Sequence, residues 1–412
     1  MTAEGGPATR RPHDPSAGVA VFLRSFLAVG VFVVLVGAML ALVRDGTLPV
    51  GSVPPADLLE RLARLDPAAV ATLGILLLLA TPPAALVWIG TSFGREGDLR
   101  FAAISVVLLL LVSTGLFAAF LAGAGEEVGS LTPPTVGMTV GIFVAAAAAG
   151  ALGVQVGLGG AAFLVPMLSG FFAVPMKLAI AAGAVSVVVN SLAGTSSYLR
   201  DRIPNVRLGL LLEMTTLVGA IGGGLIVVAV APSVLRGVFA AVLLGLALRI
   251  VTQSHAGAVV RDGADPFGVR GAYHDRASGE DVVYLPQRLR LGAAAGFVGG
   301  VLSGMLGLAG GVIKMPVMHS IMRMPVKAAA ATSVLMGGIT VSASAYMYYV
   351  HGIIDLSIAI PAVLGIQVGS RVGARMSSRL SGTALERVLA VVLTGLGVVL
   401  VLQVLGIGPA AS

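Results

Sequence analysis

The sequence predicts an all-α polytopic membrane protein: an inverted-topology repeat with broken or re-entrant short helices, preceded by a three-helix module. Three observations predict it. First, the 412 residues are 57% hydrophobic and 11% charged, with mean hydropathy +1.00. A soluble domain cannot hide that much apolar surface, and several runs approach the ~20 residues that cross a bilayer. Second, the chain repeats itself without a gap. Gly157-Leu158-Gly159-Gly160, Pro166, Pro175 and Lys177 return 150 residues later (307 − 157) as Gly307-Leu308-Ala309-Gly310, Pro316, Pro325 and Lys327. Tyr198, Gly219 and Gly223 return as Tyr348, Gly369 and Gly373. Third, the arginines change sides between the copies. Arg200, Arg202 and Arg207 crowd one short loop, whose counterpart at 350–357 carries His351 and Asp355. The next loop reverses the pattern, with Arg236 in the first copy and Arg371, Arg375, Arg379 and Arg387 in the second. Arginine-rich loops stay in the cytoplasm, so the copies face opposite ways.

The elements follow in order. Residues 1–18 read as a polar cytoplasmic tail. The apolar stretch from Ser25 to Val43 exceeds a signal-peptide core and reads as a retained helix. Residues 19–130 form an accessory module with apolar runs near 19–43, 68–89 and 101–122. The first repeat, 137–252, has runs near 137–156, 159–172, 177–199, 207–230 and 233–251. A polar connector of mixed charge, 253–290, reads as a cytoplasmic loop or partly ordered segment. The second repeat, 291–408, has runs near 291–306, 308–322, 327–349, 356–374 and 384–407. The first two runs of each repeat are short or broken by glycine. They form either two full crossings or a hairpin that enters and returns. An odd number of crossings per copy puts the amino terminus in the cytoplasm and the carboxyl terminus outside, in the cell membrane.

Composition also excludes chemistry. There is no Cys, hence no disulfide, thiol nucleophile or thiolate metal site. No paired metal ligands or ATP-binding motif stand out, so no cofactor is expected. The net charge of +7 is spread over loops and helix ends, which fits topology and not nucleic acid.

Gly157 to Leu168, Val174-Pro175, the small-residue helix ending in Tyr198-Leu199-Arg200, and Asn205-Val206-Arg207 together resemble the TauE/SafE family of sulfite and organosulfur-anion exporters. Gly307, Pro316, Pro325, Tyr346, Asp355 and Gly373 resemble that family's second half, so the likeness covers about 137–408. Lys314 and His319 depart from the apolar residues usual after the family's second glycine turn. Leu76 to Pro83 and Gly94 to Arg100 resemble a three-helix bacterial membrane family of unknown function, often associated with such exporters. The resemblance implies a small sulfur-containing anion as substrate: sulfite, thiosulfate or a sulfonate.

The candidate site is built from the breaks outward. Gly157, Gly159 and Gly160, with Gly307, Gly310 and Gly311, open the backbone where a following helix aims free N–H groups at an anion. Close helix packing is the bland alternative. Lys314 reads as an anion ligand or as a snorkelling side chain. Asn190, Ser191 and Thr195, and Thr332, Ser333, Thr340 and Ser344 on the equivalent helix of the second copy (Thr340 in the place of Asn190), offer hydroxyls and an amide that replace an oxyanion's hydration shell. Helix-to-helix hydrogen bonding is their alternative. Glu213 lies ~9 Å beyond Arg207 along a helix. It is expected to pair with an arginine at headgroup level, ahead of carrying a coupling proton. Lys177 and Lys327 read as interfacial anchors, His319 as a packing contact, and His13, His255, His274 and His351 as solvated.

These features point to a secondary transporter working outward by alternating access, driven by H+ or Na+ or by a substrate gradient. An anion channel and an accessory or sensor membrane protein are the alternatives. An intramembrane hydrolase at Ser303 lacks a positioned partner.

Overall fold

The computed structural model describes residues 16–121, 134–156, 159–252, 265–275, 279–376 and 382–406. The chain begins with α1 (Ser16–Asp45), a short α2 (Leu58–Ala63), α3 (Pro67–Arg95) and α4 (Leu99–Leu121). Asp66 starts α3: its carboxylate accepts the Ala68 N–H at 2.9 Å, and Pro67 brings no N–H to satisfy. Then come α5 (Val136–Val156), α6 (Ala161–Phe171), α7 (Met176–Arg200), α8 (Val206–Ala229) and α9 (Pro232–Thr252). An antiparallel hairpin of β1 (Gly271–Asp275) and β2 (Glu280–Tyr284) follows. The last five helices are α10 (Leu289–Leu306), α11 (Gly311–Ser320), α12 (Val326–Val350), α13 (Leu356–Met376) and α14 (Gly382–Val404). Among the described residues, nine helices are long and apolar enough to cross a membrane.

The connector is partly ordered, with a hairpin that its sequence did not reveal. Tyr273 and Tyr284 of the hairpin pack in a small core with Met318, Met322 and Met324, and Lys327 pairs with Asp275 at 2.7 Å. Its polar sequence hid two short strands whose apolar faces meet the helix ends.

The 150-residue offset persists in three dimensions. At that offset α7 coincides with α12 to the residue, and no other pair of helix ends differs by more than three. Caps repeat as well. Asn205 accepts the Leu208 N–H at the start of α8, and Asp355 accepts the Ser357 N–H at the start of α13. Tyr198 donates to the Val154 carbonyl and Tyr348 to the Gly304 carbonyl, pinning α7 to α5 and α12 to α10. The helices pair reciprocally: α5 lies on α13, α10 on α8, α7 on α12 and α9 on α14. A Cβ added at Gly219 or Gly223 would strike the carbonyls of Phe297 and Val301; one added at Gly369 or Gly373 would strike those of Ala147 and Ala151. Small residues let these backbones touch.

Each break folds the chain back. Gly160 lies against Ala149, and Gly310 against the Gly299 carbonyl. The short helices therefore fold back against the helices that precede them, which are themselves long and apolar enough to cross. Eleven residues of α6 rise ~16 Å, about half a hydrocarbon core.

Helices α7 and α12 are the most enclosed. The first module covers them: α1 packs on α7, while α3 and α4 pack on α12. Arg207 at the start of α8 reaches Asp98 at 2.9 Å and lies over the rings of Phe93 and Phe101. The Asn205 N–H donates to Thr332 Oγ1 at 2.9 Å, and its Nδ2 to the Val269 carbonyl at 2.7 Å. The end of α7, the start of α12 and the connector thus share one end of the bundle. Tyr349, near the far end of α12, donates to the Val53 carbonyl at 2.9 Å.

Candidate functional site

Gly159 and Gly160 have φ of +79° and +81°, and Gly307 and Gly310 have +65° and +64°. These left-handed conformations end one helix and start the next, a role glycine fills without a Cβ clash. The two breaks meet at the centre. A Cβ on Gly159 would stand 2.7 Å from that of Ala309, its own repeat counterpart. Gly160 precedes α6, and Gly310 precedes α11, which opens with Gly311. The first N–H groups of both helices lack intrahelical partners. Gly157 lies outside the described residues.

Lys314 leaves the first turn of α11 and folds back toward Gly310. Its Nζ donates to Thr340 Oγ1 at 2.9 Å and stands 3.6 Å from Glu213 Oε2. Thr340 in turn donates to Glu213 Oε1. All three side chains are buried. Glu213 comes from the first repeat, and Lys314 and Thr340 from the second. This corrects the expected partner. Glu213 meets no arginine at headgroup level; it is fully enclosed against a lysine 101 residues away (314 − 213). Arg207 is engaged with Asp98 instead.

The position equivalent to Thr340 is Asn190. It too is buried and bridged across the repeats, because Ser370 of α13 donates to its Oδ1. Asn190 Nδ2 has no hydrogen-bond partner among the described residues. A buried amide N–H without an acceptor costs ~1–3 kcal/mol, which an incoming anion would recover. The positions equivalent to Lys314 and Glu213 are Leu164 and Val363, so the charged pair belongs to one half.

The other candidates divide. Ser191 donates to the Val334 carbonyl and ties α7 to α12. Thr332 holds the Asn205 N–H, and Ser344 bonds within its own helix to Val341. Ser333 is buried in α12. Thr195 lines a narrow gap shared with Val19 and Pro82 of the first module. Ser191, Thr332 and Ser344 thus bond to partners other than Lys314 and Asn190. His319 bonds the Met324 carbonyl. His351 is buried and bonds the Met347 carbonyl, where a solvated ring was expected.

One cavity bears on access. It holds about 580 Å³ and is lined by Arg24, Arg200, Asp201, Arg371, Gln367 and Tyr198, among others. Gln367 and Arg371 flank Ser370 on α13, so its wall reaches the helix that bonds Asn190. Three arginines against one aspartate give it a positive field that would concentrate small anions. Of the arginines expected beside Arg371, Arg379 and the side chains of Arg375 and Arg387 lie outside the described residues. Sequence reading missed Ser370, whose repeat counterpart is Ala220 and which carries no periodic signal.

Comparison with known proteins agrees with this architecture. A second family profile, a protein family of unknown function (DUF1634), matches residues 19–117. The chain is 24% identical over 275 residues to the probable membrane transporter protein YunE of Bacillus subtilis (strain 168), covering 62% of this chain and 94% of that one. No solved structure matches. The profile described as "Sulfite exporter TauE/SafE" matches residues 142–400, well over half of the chain, with both breaks, Asn190, Glu213, Lys314, Thr340 and Ser370 inside it. The chain therefore belongs to the TauE/SafE family of membrane transporters.

Proposed function

We propose that the protein is a secondary transporter that carries a small sulfur-containing anion outward by alternating access between two inverted repeats. The anion binds where the two breaks meet. Lys314 supplies the charge, Thr340 and Asn190 supply hydrogen bonds, and the first turns of α6 and α11 supply backbone N–H groups. The observation that carries this reading is a buried lysine at a broken helix, bridged to the other repeat, with an unpaired amide at the symmetric position. An ionisable group at such depth is expensive unless it serves transport. Hydroxyl and amide donors bind an oxyanion without trapping it.

Support for the inversion comes from the paired ends. The arginine-bearing loop after α7 shares one end with the connector, whereas its counterpart after α12 lies near Val53. By the positive-inside rule the former end is cytoplasmic, which puts the amino terminus inside and the carboxyl terminus outside. The outward direction follows the export for which the family is named. The cavity lined by Arg24, Arg200 and Arg371 is then a cytoplasmic vestibule. The module of α1 to α4 serves as an accessory that braces α7 and α12.

A thermal-shift panel on purified protein tests the substrate class. Sulfite, thiosulfate or sulfoacetate should raise the melting temperature in proportion to occupancy, and acetate should not. Counterflow in liposomes should show trans-acceleration by the stabilising anion. Stabilisation by no anion in the panel would remove the site; flux without trans-acceleration would make the protein a channel.

A further inference from the structure

Resting on the reading of Lys314 as the anion ligand, we infer that Glu213 is an internal counter-ion that must take up one proton for each anion bound. The two events share one ammonium. In the structure Lys314 Nζ is held by Thr340 at 2.9 Å and by the Glu213 carboxylate at 3.6 Å. The cluster is neutral as it stands. A monovalent anion added beside Lys314 would place two negative charges around one positive charge, and a divalent one three, with all three side chains removed from solvent. A low-dielectric interior penalises that surplus heavily. One proton on Glu213 removes it for a monovalent anion and lowers it by one charge for a divalent one, whose remaining charge would fall to the Asn190 amide and the first N–H groups of α6 and α11.

The balance is simple. A proton from the aqueous side adds to a Glu213 carboxylate oxygen, the ion pair with Lys314 is lost, and the ammonium turns to the anion. The Thr340 hydroxyl already has a second acceptor, the Met336 carbonyl at 3.0 Å, so it can leave the carboxyl without being stranded. Release of the anion reverses each step and frees the proton. Each anion then crosses with one proton, and the negative charge carried across falls by one.

No other titratable group described near Glu213 competes for this role. Helix α10 carries none between Leu291 and Leu306. Helix α12 has Lys327 at one end and Tyr346, Tyr348 and Tyr349 at the other, and α4 has Arg100 in its first turn. Arg207 on α8 is bound to Asp98. His319 bonds Met324, and Arg249 of α9 bonds the Pro316 carbonyl and Ser320 at the far end of α11.

Thiosulfate is the probe, because it stays a dianion from pH 6 to 8 and brings no proton of its own. The purified full-length protein is titrated in weakly buffered solution with an indicator dye, and binding is measured by calorimetry at pH 6, 7 and 8. About one proton should be taken up per anion. Affinity should fall about tenfold per pH unit as pH rises above the protonation range, the slope that one linked proton imposes. Glu213→Gln should bind thiosulfate with no proton uptake and no pH slope. Binding without proton uptake in the unaltered protein overturns the coupling and leaves the anion site standing. Proton uptake that persists in Glu213→Gln assigns the proton elsewhere and also overturns it. If neither thiosulfate nor sulfoacetate binds at any pH, the site itself fails and this inference fails with it.

Discussion

Replacing Lys314 by Met should abolish anion-dependent stabilisation and lower the protein's own stability by about 3–5 kcal/mol, the range for removing one member of a buried ion pair. Met keeps much of the lysine's volume, so the loss is one of charge. Glu213 would be left enclosed with Thr340 as its one remaining hydrogen-bond donor among those described. Thermal or denaturant unfolding in detergent measures the first effect, and the anion panel measures the second. The control is the double change Lys314→Met with Glu213→Met. Replacing both members by apolar groups removes the desolvation cost along with the attraction, so most of the stability should return. Anion binding should not. A Lys314→Met protein as stable as the original would mean that the pair is solvated. Retained anion stabilisation in the double variant would move the site elsewhere.

The second large effect belongs to Gly160. Its φ of +81° is costly for a residue with a Cβ, and that Cβ would also lie 2.8 Å from Ile366 Cδ1 of α13. Gly160→Leu should therefore displace the start of α6 from the central contact between the breaks, and liposome flux should fall to background while insertion persists. Gly222, on the same scaffold, has nothing within 4 Å of an added Cβ. Gly222→Leu should transport as the unaltered protein does. Normal flux in Gly160→Leu would show that the break is a packing device with no part in transport.

Much of the scaffold was legible because it is written twice. The glycines at 219, 223, 369 and 373, the tyrosines at 198 and 348, and Lys177 with Lys327 fixed the offset before any contact was known. Asn205 and Asp355 then proved to be equivalent caps, and the tyrosines equivalent pins. What stayed hidden was what depends on depth and on long-range partners. Distance along α8 put Glu213 near the headgroups, because a helical rise does not say which way a side chain faces. Arg207 is partly exposed where it meets Asp98, whereas Glu213 is turned into the protein and fully enclosed. Lys314 and Thr340 reach it from the other repeat, a pairing no local pattern carries. Hairpin and double crossing share one hydropathy profile, because both consist of two apolar segments joined by a glycine break. The connector's strands escaped notice since five residues of alternation in a charged segment are a weak signal beside the membrane helices.

Transport by this mechanism requires two halves of opposite orientation closing around one buried cation, and the absence of cysteine from the chain allows a direct test of the orientation. Arg202 and Gly352 are repeat equivalents, both exposed at the turns after α7 and α12. Single changes Arg202→Cys and Gly352→Cys can be probed in intact cells with a membrane-impermeant maleimide, before and after permeabilisation. With inverted halves, the Gly352→Cys variant should react in intact cells, and the Arg202→Cys variant only after the membrane is opened. Labelling of both variants from the same side would contradict the inversion.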